Sequence, residues 1–467
     1  MRHTKRRLTR SLGLFMAIAL VVAACSSDDD SSADTTAATT TTEATTETTA
    51  APAATTTAAP VEEVALISDE CPIPEPAEDV SIDLMGWEFP VTQQLQEEFE
   101  ECNSDNLTVN VQLLASDAAQ DAITLDLGTG SPEYEIVHVT NSTVGVHSEN
   151  LVDLGPFIDK YAAEFGLDDI SDALWASGTV DGLRLGVPVL ANTLHFFYNT
   201  QVLADNGVTP PTTFDELIAA CGVLTTAGFD DPFNINFSAG WAIDIEFMSI
   251  IKSIGGDIID DDNAPMFNSP EGLAAVEHML AIRDACMSNA GRTFSIDDAQ
   301  AALQAGELPM AHIWASRAAA MDDAENSLVV GGITFDPSLY TEVGSLRNGV
   351  AYTDLYSIPK GTSVDAETIF QVLMAATDLE SQTAAAEFAS VSRSSATNAD
   401  GPRNSDALVV SVAQGVGAQS KSVARPIASG AIGDALLEVL QNDADPATAL
   451  AEAEARYIEE ATAAGLL

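Results

Sequence analysis

From Val80 onward, short strand-like apolar runs alternate with helical segments that carry their own start signals, and this alternation restricts the fold more than any other feature. Val80-Ser81-Ile82-Asp83-Leu84-Met85 reads as a strand, and Thr92 to Glu101 as a helix with Leu95 and Phe99 on one face. Leu107 to Leu114 alternates as a second strand. Asp117 to Leu127 is a helix closed by Gly128 and Gly130, and Glu135 to Val139 is a buried strand. Further along, Thr213-Phe214-Asp215-Glu216 forms a capping box ahead of Leu217 and Ile218. Ser269-Pro270-Glu271 and Asp445-Pro446 each place a cap before a first-turn proline. Ser295-Ile296-Asp297-Asp298 opens a helix that Gly306 closes. Strands interleaved with helices predict an α/β fold with largely parallel sheets. The stretch from Val80 to the end is long enough for two domains.

The residues ahead of this body are of another kind. Arg2, Lys5, Arg6, Arg7 and Arg10 precede an apolar run from Leu12 to Val22. That run is about half the length a membrane-spanning helix needs, and it reads as an export signal. The residues after Arg6-Arg7 are Leu8-Thr9-Arg10, a poor fit to twin-arginine export, so the general secretory route is expected. Val22-Ala23-Ala24-Cys25, followed by Ser26-Ser27-Asp28, resembles a bacterial lipobox. The resemblance implies a signal peptide at 1–24 and acylation of Cys25, with the mature chain lipid-anchored at the outer face of the cytoplasmic membrane. The alternative is an ordinary secretory signal with an incidental Cys. Residues 26–60 carry Thr, Ala, Ser, Pro and acid but no large apolar side chain, so they have nothing to bury. We expect a disordered tether over 25–79, with O-linked sugar left open, and ordered structure from near Val80.

Charge narrows the partners. Lys and Arg number 18 against 71 Asp and Glu, a formal net charge of −53. A surface of this sign repels phosphate, which excludes nucleic acid as a natural partner and disfavours direct binding to anionic lipid. Enzyme signals are poor: G-x-S-x-G, a Walker loop, H-E-x-x-H and C-x-x-C are all missing, and Gly415-Val416-Gly417 is no dinucleotide fingerprint. His195 lies inside an apolar run and reads as a core residue with a hydrogen-bonded ring. Asp257, Asp260, Asp261, Asp262 and Asn263 lack the glycine and terminal Glu of a calcium loop, so a solvated turn is expected. No metal or cofactor is expected. Cys71, Cys102, Cys221 and Cys286 remain, and four cysteines allow three pairings. Export favours bridges over free buried thiols, and local pairing gives Cys71–Cys102 and Cys221–Cys286.

A further set of landmarks follows in order: Gly182 to Pro188 with Asn192 and Tyr198-Asn199, then Pro210-Pro211-Thr212-Thr213-Phe214-Asp215-Glu216-Leu217. Ser253-Ile254-Gly255-Gly256-Asp257, Phe267-Asn268-Ser269-Pro270-Glu271, Gly306 to Ala311, Ile358-Pro359-Lys360-Gly361 and Asp445 to Leu450 complete the set. As a set they resemble the extracellular solute-binding proteins of ATP-binding-cassette importers, in the carbohydrate class that includes maltose-binding proteins, with Phe214 in place of the usual Trp. The resemblance implies a two-lobed periplasmic-binding-protein-like (type II) fold with three inter-lobe crossings, near 189–193, 350–357 and 393–405. Lobe one would be 80–189 plus 358–392, and lobe two 193–350 plus 405–467.

The same resemblance implies a monomeric, high-affinity receptor that is not an enzyme. It would close on a small-molecule solute, most simply a sugar, oligosaccharide or sugar alcohol, and dock on an ABC permease. Sugars need flat aromatic faces and planar polar groups. Trp87, with Glu88 beside it, ends the first strand; Trp241 precedes the apolar helix Ile243 to Ile254; Trp314 ends the strand Met310 to Ile313. These are element ends at the family's cleft positions, where aromatic platforms are expected and where substitution should affect folding little. Trp175 is assigned to packing. Asn141, Asn192, Tyr352, Asp354 and Arg393 are the expected polar contacts, and Arg393 reads equally as a salt-bridging hinge residue. Tyr352-Thr353-Asp354 stands where relatives often have Gly-Gly-Trp, which leaves the ligand subclass open. Glu88, Asp354 and the acidity admit a polyamine or other cation instead. A sensor lipoprotein and a secreted hydrolase are the remaining alternatives, although no carboxylate pair is singled out for hydrolysis.

Overall fold

The computed structural model describes residues 66–396, 401–417, 419–420 and 422–467. The expected signal at 1–24, Cys25 and residues 26–65 of the expected tether lie outside the described residues. The strands are β1 (Val80–Trp87), β2 (Leu107–Leu114), β3 (Ile136–Thr140), the short pair β4 (Thr179–Val180) and β5 (Leu183–Arg184), then β6 (Val187–Asn192) and β7 (Leu194–Asn199). They continue as β8 (Phe233–Ile235), β9 (Met310–Trp314), β10 (Ile333–Pro337) and β11 (Tyr352–Ser357). Each lobe is built on one sheet, with strand order β2-β1-β3-β11-β6 in the first and β10-β7-β9-β8 in the second.

Both sheets are mixed, which corrects the expectation of largely parallel pairing. β1 runs parallel to β2 and β3, whereas β11 is antiparallel to β3 and β6. In the second sheet only β8 and β9 pair in parallel; β7 is antiparallel to β9 and β10. The reason is the route of the chain. A helical crossover returns a strand parallel to its predecessor. Here only Thr193 separates β6 from β7, so the chain leaves the first sheet for the second with no helix to turn it. β11 comes back from the second lobe and enters the first sheet from the opposite direction. The segment near 350–357, which the resemblance implies is a crossing, runs into this sheet as β11, an interior strand whose six residues are all buried.

The tether boundary moves as well. Residues 66–79, expected to be tether, pack on the first lobe. Cys71 and Ile73 are fully buried in its core, and Glu75 accepts hydrogen bonds from Ser104 Oγ at 2.8 Å and Asn106 N at 2.9 Å. A disulfide joins Cys71 to Cys102 just past the helix Pro90–Glu100. A second joins Cys221, in the helix Phe214–Ala227, to Cys286 at the end of the helix Pro270–Cys286.

Local start signals set the helices. Ser295 and Asp298 cap each other reciprocally at the helix Ile296–Ala305, and Gly306 ends it at φ 75°. At Thr213 only half of the expected box forms: its hydroxyl accepts from Glu216 N, but the Glu216 carboxylate turns to the Thr212 N–H and hydroxyl at 2.8 Å. In the second lobe the helix Gly240–Ser253 crosses the helix Arg425–Asn442 where Gly240 meets Gly433. A Cβ at Gly433 would lie 2.4 Å from the Gly240 carbonyl oxygen. Glycine is therefore required for this approach, and the approach presents the first turns of both helices to the space between the lobes.

Candidate ligand-binding site

A cavity of about 270 Å³ lies between the lobes, lined from both sides and floored by Asn192 where the chain crosses from β6 to β7. It opens at strand ends, where open α/β sheets place ligands. Three indoles line it. Trp87 ends β1; its Nε1 donates to the Ser116 carbonyl at 3.0 Å and its ring meets the His138 ring edge-on at 4.1 Å between centroids. Trp314 ends β9 and meets Tyr352 edge-on at 4.8 Å. Trp241 occupies the first turn of the helix Gly240–Ser253, and its Nε1 donates to Asp117 Oδ1 of the first lobe at 2.9 Å. The polar edge of Trp87 and that of Trp241 are thus satisfied by protein, leaving aromatic surface for a ligand.

Charged groups around the cavity are almost fully buried and mostly paired. Asp354 on β11 is 5% exposed; its Oδ1 lies 3.2 Å from His138 Nε2, while Oδ2 has no partner among the described residues. Asp244 is 3% exposed; its Oδ2 accepts from Arg425 at 2.8 Å, and its Oδ1 is likewise unpartnered among the described residues. Arg317, just past Trp314, donates to Gln300 Oε1 at 2.8 Å, pairs with Asp297 at 2.9 Å and reaches across the lobes to Ser116 Oγ at 2.8 Å. Burial pushes its guanidinium below the usual value, opposed by Asp297. The guanidinium also lies 5.5 Å from the Phe89 ring centroid. Burial raises the Tyr352 hydroxyl well above the ordinary phenol range and lowers the His147 imidazole. Asn192 holds the floor: its Nδ2 donates to Ser316 Oγ at 3.1 Å, and its Oδ1 accepts from the Ser316 and Thr193 amides. Such a site offers aromatic faces, two free carboxylate oxygens and neutralised cations, which suits hydroxyl donors.

Residues 88–376 match the family described as bacterial extracellular solute-binding protein, more than half of the chain. The chain belongs to this family. It is 23% identical over 203 residues to a Sinorhizobium fredii protein named "Probable amino-acid ABC transporter periplasmic-binding protein". That match takes in 42% of this chain and 46% of the relative, so the chain spans about half the length of the curated relative it matches. Among solved structures, maltose-bound MalE3 of T. maritima superposes with TM-score 0.71 at 18% identity, covering 81% of this chain and 98% of that one. A ribitol-bound solute-binding protein of Agrobacterium radiobacter does so with TM-score 0.71 at 21% identity, covering 82% and 99%. A D-mannitol-bound protein of Agrobacterium vitis gives TM-score 0.68 at 18% identity, again covering 82% and 99%. These likenesses show the two-lobed α/β fold.

In this solute-binding protein the structure brings Trp87, Asn192, Trp241, Trp314, Tyr352 and Asp354 to one cavity. It places three other expected contacts elsewhere. Glu88 is exposed and accepts from Gln93 Nε2 at 3.3 Å, because the residue after Trp87 turns away from the cavity side. Asn141 is a backbone brace: its Oδ1 accepts from Thr353 N at 3.2 Å and its Nδ2 donates to Ala351 O at 3.4 Å. Arg393 is buried outside the lining of this cavity and has no ion pair among the described residues. It donates to the carbonyls of Thr377, Phe165 and Gly166 at 2.9, 2.8 and 3.1 Å. Trp241, expected ahead of the helix, lies within its first turn. Trp175 packs half-buried on the first-lobe core, and His195 is buried with Nδ1 3.5 Å from Asn404 Nδ2. In the acidic stretch after Gly256, Asp260 Oδ1 accepts from the Asp262 and Ala264 amides, which makes a turn.

Sequence reasoning missed Asp244, Arg317, Arg425 and His138. A signal existed for one of them: Asp244 interrupts the apolar run Ile243 to Ile251, where a charge has to find a partner. Arg317 and Arg425 have no local mark, since their partners are remote in sequence.

Proposed function

We propose that this solute-binding protein captures a small polyhydroxylated solute, a sugar or sugar alcohol, by lobe closure and delivers it to an ABC importer. The observation that carries this reading is the interlobe cavity itself, lined at once by three Trp and by the buried Asp354 and Asp244, each with one carboxylate oxygen that no described residue engages. Indole faces take C–H surfaces, and carboxylate oxygens accept from hydroxyls. At about 270 Å³ the cavity is just below the usual range of ligand pockets, from about 300 Å³ upward, which favours a small solute. Related folds with ribitol, D-mannitol or maltose bound support the class. Delivery to a permease rests on family membership and on the name of the Sinorhizobium relative.

Of the acidic groups that admit a cation, Glu88 stands outside the cavity and Asp244 is neutralised by Arg425, which leaves Asp354 as the one carboxylate a cation could address. An amino acid would bring a carboxylate to a site whose Arg317 and Arg425 are already paired with Asp297 and Asp244. A thermal-shift screen of sugars, polyols, polyamines and amino acids tests the reading, since a ligand specific to the native state raises the midpoint. A sugar or polyol is expected to do so. Stabilisation by a polyamine or amino acid alone would overturn it. Export with a lipid on Cys25 completes the proposal: Cys25→Ser should move the protein from the membrane fraction to the medium.

A further inference from the structure

One buried ring touches both kinds of ligand-facing group. His138 sits in the middle of β3 and is 0% exposed. In the β3–β11 ladder it stands directly opposite Tyr356, with Asp354 two residues away on the same face of β11. Its ring packs edge-on against Trp87 at 4.1 Å and Tyr356 at 5.2 Å, and it lies 6.3 Å from Phe89. Gly86 on β1 lies beside the ring: a Cβ there would make ordinary contact with it, 3.5 Å from His138 Nδ1 and 3.6 Å from its Cβ. Nε2 meets Asp354 Oδ1 at 3.2 Å, and Nδ1 has no partner among the described residues. A carboxylate only accepts, so the proton belongs on Nε2; a proton on Nδ1 would be a buried donor with nothing to bond.

We propose that His138 is a positioning residue that couples the Trp87 platform to the Asp354 carboxylate, so that one ring sets the spacing between the stacking face and the hydroxyl-accepting oxygen. By engaging Oδ1, it fixes the orientation of the carboxylate, whose Oδ2 no described residue engages. This rests on the polyol reading of the cavity. The chemistry it selects is a solute that presents a C–H face to Trp87 and a hydroxyl to Asp354 at once. A ligand that stacks without the hydroxyl, or donates without the face, gains from only one half of the pair.

The test uses the full chain with His138→Leu, which keeps bulk but removes the donor, and His138→Gln, which keeps a donor. Asp354→Asn and the double variant His138→Leu/Asp354→Asn complete the cycle. Ribitol, D-mannitol, D-tagatose and maltose are the calorimetric probes. For whichever probe binds, His138→Leu is expected to raise Kd about tenfold, the scale of a hydrogen bond to a charged group. His138→Gln should recover most of the loss. In the Asp354→Asn background the Leu substitution should cost less than about twofold, because residues that act through one another are not additive. Losses that add in full, or unchanged affinity in His138→Leu, would overturn the proposal. A second arm needs no ligand and no folded Leu variant: nitrogen-15 NMR of the histidines in the unsubstituted chain and in Asp354→Asn. The His138 ring is expected to be protonated on Nε2, with that signal displaced when Asp354 becomes Asn. Protonation on Nδ1, or no displacement, would refute it. If none of the probes binds the unsubstituted chain, the polyol reading falls while the NMR arm still decides the role of His138.

Discussion

Trp314 serves two purposes at once. It lines the cavity, yet it is half-buried and packs on both cores of the second lobe as well as edge-on to Tyr352. A platform residue is expected to affect folding little, and this packing changes that expectation. Trp314→Ala should weaken ligand binding by about 1–3 kcal/mol, roughly ten- to a hundredfold. It should also lower unfolding stability by about 2 kcal/mol, since part of a core aromatic is lost. Calorimetry and urea titration check the two separately; an affinity loss with no stability loss would show the core contact to be idle. His195 gives a second residue-scale prediction. Burial, with His312 nearby, pushes its pKa from 6.5 down to about 3. Between these values the unfolded chain binds the extra proton and the folded one does not. Stability therefore falls as pH drops from about 6.5 towards 3, by at most about 1.4 kcal/mol per pH unit from this group. His195→Leu should flatten that part of the stability profile measured by denaturant titration across pH. An unchanged slope would assign the acid sensitivity to other groups.

At the scale of elements, the close crossing of the helices Gly240–Ser253 and Arg425–Asn442 carries Trp241 and Asp244 on one side and Arg425 on the other. The Asp244–Arg425 pair, with both side chains under 5% exposed, depends on that approach. Gly433→Ala puts a methyl 2.4 Å from the Gly240 carbonyl oxygen, against backbone that cannot rotate away. The helices must separate. Overpacking of this kind costs about 1–3 kcal/mol, more than the helix-propensity gain of Ala over Gly. Stability should fall and ligand affinity with it. Gly430→Ala in the same helix, where a Cβ meets nothing within 4 Å, should be neutral or stabilising. Thermal melts of the two variants side by side check the contrast.

At the scale of the whole molecule, the lobes meet through a few polar contacts at one side of the cavity. Arg317 bonds Ser116, Asp297 accepts from the Ser116 amide at 3.3 Å, and Trp241 bonds Asp117. All three engage the start of the helix Ser116–Gly128. Ligand affinity in a hinged receptor includes the free energy of closing, so contacts made only when closed add to it. Arg317→Met should therefore raise Kd about tenfold, on the scale of a charge-assisted hydrogen bond. The ligand-mixed protein should also keep a larger radius of gyration in X-ray scattering than the unsubstituted chain. Asp297 is partly exposed and can take up water, so folding should survive. Unchanged scattering with unchanged affinity would show the contacts to be passive.

What is local in this protein is legible in the order of its residues. Capping residues at 269, 295 and 445, the alternation of β1 and β2, and indoles at strand ends all act through near neighbours, so a short window of sequence specifies each of them. The lobe-to-lobe order of landmarks is legible for the same reason. Long-range pairing is decided only in the folded molecule. His138 and Asp354 stand 216 residues apart, Arg317 and Ser116 201, and Arg425 and Asp244 181. Nothing near any of these positions specifies its partner. The direction of β11, the turn of Arg393 towards carbonyls instead of the cavity, and the packing of residues 66–79 are hidden likewise. Each is set by which buried groups the two lobes leave to be satisfied, and that is fixed only once both sheets and the crossing between them are in place.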